Sequence, residues 1–153
     1  SEAKMTVSGV PDQPGVAAKL FRSLADADVN VDMIVQNVSD AGATDISFTL
    51  PHEQVSAATA TVDALVAEIG AKGVVTDTGI GRVSLTGAGM QTNPGVAATM
   101  FETLSTSGIN IEMISTSAIR ISCVVREDQA EQAVTVLHAA FELDKAPANR
   151  SDI

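Results

Sequence analysis

The chain has 153 residues, enough for one ordinary domain or two small ones. Hydrophobic residues make up 45% of it and all four aromatic residues are Phe, so Val, Ile, Leu, Met and Ala must supply most of the core. The formal net charge of −10 argues against binding to nucleic acid or to anionic membranes, because both need clustered Lys and Arg.

The single cysteine, Cys123, lies in an alternating apolar run and cannot form an internal disulfide. Together with His52 and His138 it supplies too few ligands for a metal site, so we expect neither a metal nor a cofactor. We interpret Cys123 as a core residue in a reduced, cytoplasmic setting. No apolar stretch approaches the ~20 residues of a membrane span.

The sequence repeats itself. Pro-Gly-Val-Ala-Ala at 14–18 recurs at 94–98, and Asn-Val-Asp-Met-Ile at 30–34 recurs as Asn-Ile-Glu-Met-Ile at 110–114, both at an offset of 80. Ile46 and Ser47 recur as Ile121 and Ser122 at an offset of 75, so the first repeat carries five extra residues in the turn-like segment 39–43. Two blocks at one offset indicate two copies of the same structural unit.

In chain order, each repeat predicts the same elements. Alternating residues predict strands and apolar residues four apart predict helices. The first repeat predicts a strand at Met5 and Val7, a helix at Val16, Leu20 and Leu24, a strand from about Val31, a strand over Ile46, Phe48 and Leu50, a helix over 55–69 and a strand at 74–76. The second predicts a strand at Val83 and Leu85, a helix at Val96, Met100 and Leu104, a strand from about Ile111, a strand over Ile119, Ile121, Cys123 and Val125, and a helix over 130–141.

This order is β-α-β-β-α-β, the ferredoxin-like arrangement, in which two helices cover one face of an antiparallel sheet. The sequence therefore predicts an α+β fold of two tandem units, residues 1–79 and 80–153, with a polar tail from about 144. The tail has no strand pattern, so we expect the second unit to lack a fourth strand of its own.

Two loops are candidates for a binding site, at 10–15 and 88–95, because each joins a strand to a helix through Pro-Gly. Amides that open a helix lack internal partners and carry partial positive charge, so they bind anions such as a carboxylate. A plain tight turn remains the alternative interpretation. Polar side chains follow the second strand of each repeat: Gln36, Asn37, Ser115, Thr116 and Ser117. They would either bond a small ligand or face water on an edge strand.

Enzyme motifs are not found in the sequence. No Ser-His-Asp set and no Gly-rich phosphate loop with Lys is present, and Gly79-Ile80-Gly81 is interpreted as part of a linker. Asp32 and Glu112 are interpreted as solvated turn carboxylates. A small ferredoxin-like enzyme is therefore the disfavoured alternative.

These motifs carry a family resemblance. Gly-Ala-Gly-Met at 87–90, Asn-Pro-Gly-Val at 93–96 and Asn-Ile-Glu-Met-Ile-Ser-Thr-Ser at 110–117 resemble the regulatory tandem ACT domains of bacterial aspartate kinases, as does the segment 31–37. The resemblance runs over about 4–143 and includes no kinase domain. It implies a regulatory (β) subunit or region that partners a catalytic aspartate kinase subunit and mediates feedback inhibition in lysine and threonine biosynthesis.

The resemblance also implies where effectors bind. Threonine or lysine would lie where an ACT unit of one chain meets an ACT unit of another in a homodimer. The first site would use Asp12, Gly15, Val16, Ala17 and Gln36, with Asn110 and Ile111 from the partner chain. The second would use Met90, Asn93, Gly95, Val96, Ser115, Thr116 and Ser117, with Asn30 and Val31 from the partner chain.

The chain departs from the family pattern at two positions. Many relatives have Glu where this chain has Ala118, and some have His where it has Asn93. Without that carboxylate we expect a weak response to lysine, because an ammonium entering a dry site needs a charged partner. The alternative function is an amino-acid-binding module that serves another enzyme of amino-acid metabolism.

Overall fold

The computed structural model of the chain describes residues 2–37, 41–87 and 94–141. The chain divides into two compact units between Thr78 and Gly79. The predicted α+β fold of two repeated units is confirmed: helices pack on antiparallel strands in the expected order. None of the helices in the described ranges is long and apolar enough to cross a membrane.

The first unit contains the complete β-α-β-β-α-β order. Its elements are β1 (Glu2–Pro11), α1 (Val16–Asp26), β2 (Ile34–Gln36), β3 (Ala43–Pro51), α2 (Val55–Ile69) and the start of β4 (Gly73–Thr86). The strand order is β2-β3-β1-β4, and β3 runs antiparallel to both β1 and β2. A short 3-10 helix, His52–Gln54, precedes α2.

One face of this sheet forms the core with the two helices. Alternate residues of β1 point to that face, since successive side chains of a strand point to opposite sides. Phe48 of β3 is fully buried and meets Phe21 of α1 edge to face, with ring centroids 5.7 Å apart at 74°. The buried residues of this core include Met5, Val7, Leu20, Leu24, Ile46, Leu50, Ala58 and Val62.

The second unit repeats the arrangement. It contains the end of β4, α3 (Gly95–Thr106), β5 (Met113–Thr116), β6 (Arg120–Arg126) and α4 (Ala130–Phe141). β6 runs antiparallel to β4 and β5. Cys123 is fully buried in this core, as expected from the alternating pattern. The core contains Val83, Leu85, Met100, Leu104, Ile121, Val125, Ala133 and Leu137.

The interpretation of Gly79-Ile80-Gly81 as a linker is wrong, because these residues lie inside the continuous strand β4. Ile80 is buried and pairs with Arg126, and Gly81 pairs with Val125. Glycine here does not end the strand; it allows a close approach, since a Cβ on Gly81 would come within 2.9 Å of the Ala130 Cβ.

Other boundaries differ by a few residues. β2 and β5 begin at Ile34 and Met113, somewhat later than expected, although the amide of Asp32 already bonds the carbonyl of Thr49 at 3.0 Å. The expected missing fourth strand of the second unit falls after Phe141, outside the described residues, and so do Ser39 and Asp40 of the extra segment.

Candidate functional site

The loop between β1 and α1 presents an open helix start. The amide of Asp12 bonds the carbonyl of Gly42 at 3.0 Å, and Gly15 precedes the helix with φ of 90°. No side chain of the described residues caps α1, and its first turn contains no acidic residue. Asp12 and Gly15 are exposed, and Val16 and Ala17 are half-buried. The amide of Val16 donates to the carbonyl of Gln13 at 3.4 Å, so the amides of the first turn that this geometry leaves to an anion are those of Ala17 and Ala18.

Gln36 lies at the same end of this sheet. It pairs with Ile46 of β3, while Pro11, just before Asp12, pairs with Ala43 of the same strand. The two contacts with β3 are three residues apart, or about 10 Å along the strand. Gln36 also shares the face of the buried Ile46, since directly opposed side chains of an antiparallel pair point the same way. The exposed Gln36 side chain is therefore on the helix side of the sheet, at the end where α1 begins.

Asn30 and Val31 lie at the opposite end of the first unit. They follow α1, whose 11 residues span about 16 Å. The amide of Asn30 donates to Oε1 of Gln54 at 2.7 Å, and its side chain is exposed. The first unit therefore does not bring Asn30 and Val31 together with Asp12 and Gln36.

The three polar residues at the end of β5 separate into different environments. Thr116 is the residue of the second repeat that is equivalent to Gln36. It pairs with the buried Ile121 and therefore lies on the helix side of the sheet. Ser115 pairs with Ser122 and so points to the other face, where a hydrogen bond of 2.7 Å joins Ser122 Oγ and Ser84 Oγ. Ser117 Oγ accepts from the amide of Arg120 at 3.1 Å and shapes the turn between β5 and β6.

The start of α3 is equivalent in sequence to that of α1 but differs in conformation, since Gly95 is itself helical whereas Gly15 precedes its helix with a positive φ. Gly95 opens the helix behind Pro94, and Val96 is half-buried in the core of its unit. No described side chain caps this helix. Two further residues predicted for this site, Met90 and Asn93, lie outside the described residues.

Asn110 and Ile111 follow α3, in the position that Asn30 and Val31 take after α1. They line a surface depression of about 450 Å³ together with Phe101, Ser105, Gly108 and Ile109. Asn110 is exposed, and Ile111 packs against the core. This end of the second unit is again separated from the start of its helix.

A second depression, of about 370 Å³, lies beside Asn37 in the first unit. Gly9, Asp45 and Lys72 also line it, and the amide of Gly9 donates to Asp45 Oδ1 at 3.1 Å. The bond ties the bulge in β1 to β3.

Glu112, interpreted from the sequence as a solvated turn carboxylate, is partly buried and bonds Arg126. Both of its carboxylate oxygens lie 3.3 Å from Arg126 Nη1, and its side chain is only 18% exposed. Asp32, its counterpart in the first unit, is exposed.

The sequence interpretation missed Gln54 and Gln129. Each lies at the end of a 3-10 helix and bonds the loop that carries Asn30 or Asn110. The signal available in the sequence was their equivalence at an offset of 75, the offset that also relates β3 to β6.

The ACT domain family matches the chain twice, over residues 5–65 and 83–141. An aspartokinase of Mycobacterium bovis is 53% identical over 145 residues, which are 94% of this chain and 34% of the relative. An aspartate kinase of Pseudomonas fluorescens is 50% identical over 151 residues, 99% of this chain and 36% of the relative. The chain thus spans about a third of the length of the curated relatives it matches.

Two solved structures match along nearly their whole length. A chain in a crystal structure of aspartokinase alpha and beta subunits is 43% identical, with a TM-score of 0.86 over 92% of this chain and 93% of that one. The ligand-free regulatory subunit of aspartate kinase from Thermus thermophilus is 38% identical, with a TM-score of 0.85 and the same coverage. The chain therefore belongs to the ACT domain family, as a pair of the regulatory ACT domains of an aspartate kinase.

Proposed function

We propose that the chain senses amino acids for an aspartate kinase, binding threonine and/or lysine at interfaces between ACT units of two chains. Binding restrains a catalytic aspartate kinase subunit or domain, and the chain itself transfers no phosphate. The proposal rests on one observation above all. In each unit, the open helix start and the second-strand polar residue lie at one end, whereas the Asn-containing loop lies at the other.

That separation supports a site completed by a second chain. An amino acid at Asp12, Gly15, Val16, Ala17 and Gln36 would be exposed on one side. Asn110 and Ile111 of a partner chain, at the rim of their own depression, would cover it. The second site would pair Gly95, Val96 and Thr116 with Asn30 and Val31 of the partner chain, and would include Met90, Asn93, Ser115 and Ser117.

The first site suits threonine. The amides at the start of α1 take the α-carboxylate, because the helix dipole is positive there. Asp12 attracts the α-ammonium. Gln36, on the helix side of β2, bonds the hydroxyl of the ligand. A site that bonds a hydroxyl discriminates against an analogue that lacks it, since its own polar group is then left unpaired.

The second site is less suited to lysine. Ala118 is exposed in the turn after β5 and offers no carboxylate for an ε-ammonium. An ammonium that leaves water without a partner loses several kcal/mol of solvation. We therefore propose that threonine is the stronger effector of this chain.

The test compares threonine with 2-aminobutyrate, which lacks only the hydroxyl. Calorimetry on the natural chain should detect threonine binding, and Gln36→Ala should weaken threonine roughly tenfold, about 1.4 kcal/mol. The same substitution should change 2-aminobutyrate affinity less than twofold. Val35→Ala is the matched control, because Val35 pairs with Ser47 and points to the other face of β2. Equal losses for both ligands would show that Gln36 does not bond the hydroxyl.

A further inference from the structure

Gln54 and Gln129 occupy equivalent positions in the two units and each bonds the loop after the first helix, although at different residues of that loop. Gln54 ends the 3-10 helix His52–Gln54, and its Oε1 accepts from the amide of Asn30 at 2.7 Å. Gln129 ends the 3-10 helix Glu127–Gln129, and its Nε2 donates to the carbonyl of Gly108 at 3.3 Å. In both units the glutamine thus ties the loop after the first helix to the start of the second helix.

Backbone hydrogen bonds hold each loop at its two ends. In the first unit, the amide of Val29 bonds the carbonyl of Leu24 at 3.0 Å, and the next backbone ladder bond is made by Asp32. In the second, the corresponding bonds are made by Ile109 at 2.9 Å and Glu112 at 2.8 Å. The two residues between these bonds are Asn30 and Val31 in one unit, and Asn110 and Ile111 in the other.

Within each loop, the asparagine and the apolar residue that follows it have different environments. Val31 and Ile111 pack against the hydrophobic core of their units, which fixes one side of the loop. Asn30 and Asn110 are exposed. In the first unit the Gln54 bond fixes the exposed side at Asn30 itself, and in the second unit the Gln129 bond fixes the chain at Gly108, two residues before Asn110. A loop residue without such a bond samples more backbone conformations.

We propose that Gln54 and Gln129 are positioning residues that hold the partner-facing loops at the effector sites. This inference rests on the proposed function, in which Asn110 and Ile111 cover the threonine site of a partner chain. Gln129 holds the loop with Asn110 and Ile111 in the conformation that contacts threonine. Gln54 holds the loop with Asn30 and Val31 in the same way at the second site. Neither glutamine touches the effector.

The chemistry of the two bonds differs and provides the test. Asn30 presents an N–H group, so Gln54 must accept; Gly108 presents a carbonyl, so Gln129 must donate. Glutamate accepts but does not donate when ionised. Gln54→Glu therefore retains its bond, whereas Gln129→Glu loses its bond and places a carboxylate beside a carbonyl oxygen.

Threonine affinity is measured by calorimetry on the natural chain and on four variants, Gln54→Ala, Gln54→Glu, Gln129→Ala and Gln129→Glu. Both Gln129 variants should weaken binding at the first site about threefold to tenfold, as loss of one hydrogen bond predicts. Both Gln54 variants should leave that affinity within twofold, because their loop belongs to the other site. Glu53→Ala, an exposed neighbour in the same 3-10 helix, is the control for a change in this region.

Hydrogen exchange at the Asn30 amide is a second measurement, which reports on the Gln54 bond without an effector. Gln54→Ala should speed this exchange severalfold, and Gln54→Glu should keep the protection of the natural chain. The inference is overturned if the Gln129 variants lower the melting temperature but leave threonine affinity unchanged, since the bond would then only stabilise the fold. It is also overturned if Gln54→Glu exchanges like Gln54→Ala. Absence of threonine binding in the natural chain would refute the proposed function itself, and the inference with it.

Discussion

Phe48 and Cys123 occupy equivalent places in the two repeats but pack differently. Phe48 lies opposite Met5 and Ile34 and contacts the ring of Phe21. Cys123 lies opposite Val83 and Ile114, and its thiol is fully buried. The aromatic pair adds about 0.5–1.5 kcal/mol beyond its buried area in the first unit. The second unit keeps a Phe on its helix, Phe101, but has a smaller side chain on the facing strand.

Burial raises the pKa of the Cys123 thiol from 9.0 to about 11. Between these values the unfolded chain loses the thiol proton and the folded chain keeps it. Since the folded state then binds more protons, stability is fully present below about pH 9 and falls as the pH rises toward 11. The total loss is about 2–3 kcal/mol, at 1.36 kcal/mol for each pKa unit.

Urea unfolding from pH 7.5 to 11.5 measures this loss, with Cys123→Ala as the reference because it removes the thiol. The free energy of unfolding of the natural chain minus that of Cys123→Ala should be constant to about pH 9 and should fall at higher pH. In the folded chain at pH 8, the thiol should also react slowly with a disulfide reagent. A difference that stays constant across the whole range would show that the buried thiol titrates normally.

At the scale of elements, the two first helices end by the same hydrogen-bonded turn. In the first unit, the amide of Asp28 donates to the carbonyl of Ala25, and the amide of Val29 donates to the carbonyl of Leu24. These two bonds form a Schellman motif, in which Asp28 is the left-handed residue with φ of 60°. In the second unit Gly108 takes the left-handed position, with φ of 74°. Glycine adopts this conformation without the Cβ clash that an L-residue incurs. These turns direct both chains into the loops that carry Asn30 and Asn110.

The close contact between β4 and α4 predicts the effect of a single methyl group. Gly81→Ala would bring a Cβ within 2.9 Å of the Ala130 Cβ, and the backbone at Glu127 lies 3.6 Å away. Because Ala130 begins α4 and cannot rotate away, the helix must shift, at a cost of about 1–3 kcal/mol. Urea unfolding should show this loss.

Gly73→Ala is the matched control in the same strand. A Cβ there would meet only Ser8 Oγ at 3.9 Å, an ordinary contact. We expect this variant to be neutral or slightly more stable, because alanine restricts the unfolded chain. If the two variants unfold at the same urea concentration, β4 does not need glycine to accommodate α4.

The elements could be predicted from the sequence because their periods are local. Leu20 and Leu24 repeat at helical spacing, and Met5 and Val7 alternate, before any tertiary contact is known. The continuity of β4 could not be predicted, since two glycines normally weaken a strand and the pairing with β6 that starts at Ile80 is not visible in the sequence. The bonds of Gln54 and Gln129 were equally hidden, because they join segments that are 24 and 21 residues apart.

The same limit applies to the candidate site. The Pro-Gly loops were found from the repeat, and their position at open helix starts follows from the strand-to-helix order. The separation of Ser115 from Thr116 depends on the pairing of β5 with β6, in which a shift of one residue reverses the two faces. The sequence alone does not fix that register.

At the scale of the whole molecule, the short strands β2 and β5 expose apolar side chains. β2 has three residues and β5 has four, and each pairs with a neighbour of its own unit. Ile34 is 51% exposed and Ile114 is 44% exposed, at equivalent positions of the two repeats. Exposed edge strands pair readily with another chain unless a charge blocks them. The repetition of an apolar residue at both edges favours the proposed homodimer.

Edge pairing predicts that one charge at either strand will weaken association. The natural chain should be a dimer at micromolar concentration with threonine present, through an interface on the order of 2,000 Å² in total. Ile34→Lys and Ile114→Lys should each shift the mass seen by light scattering toward the monomer, because a lysine on an edge strand opposes strand pairing. Ala64→Lys, on the exposed side of α2, adds the same charge away from both edges and should leave the dimer intact. Thermal unfolding of the Ile34 and Ile114 variants checks that each still folds. A natural chain that remains monomeric with threonine bound would refute the dimer, and a dimer that tolerates both lysines would place the interface on other elements.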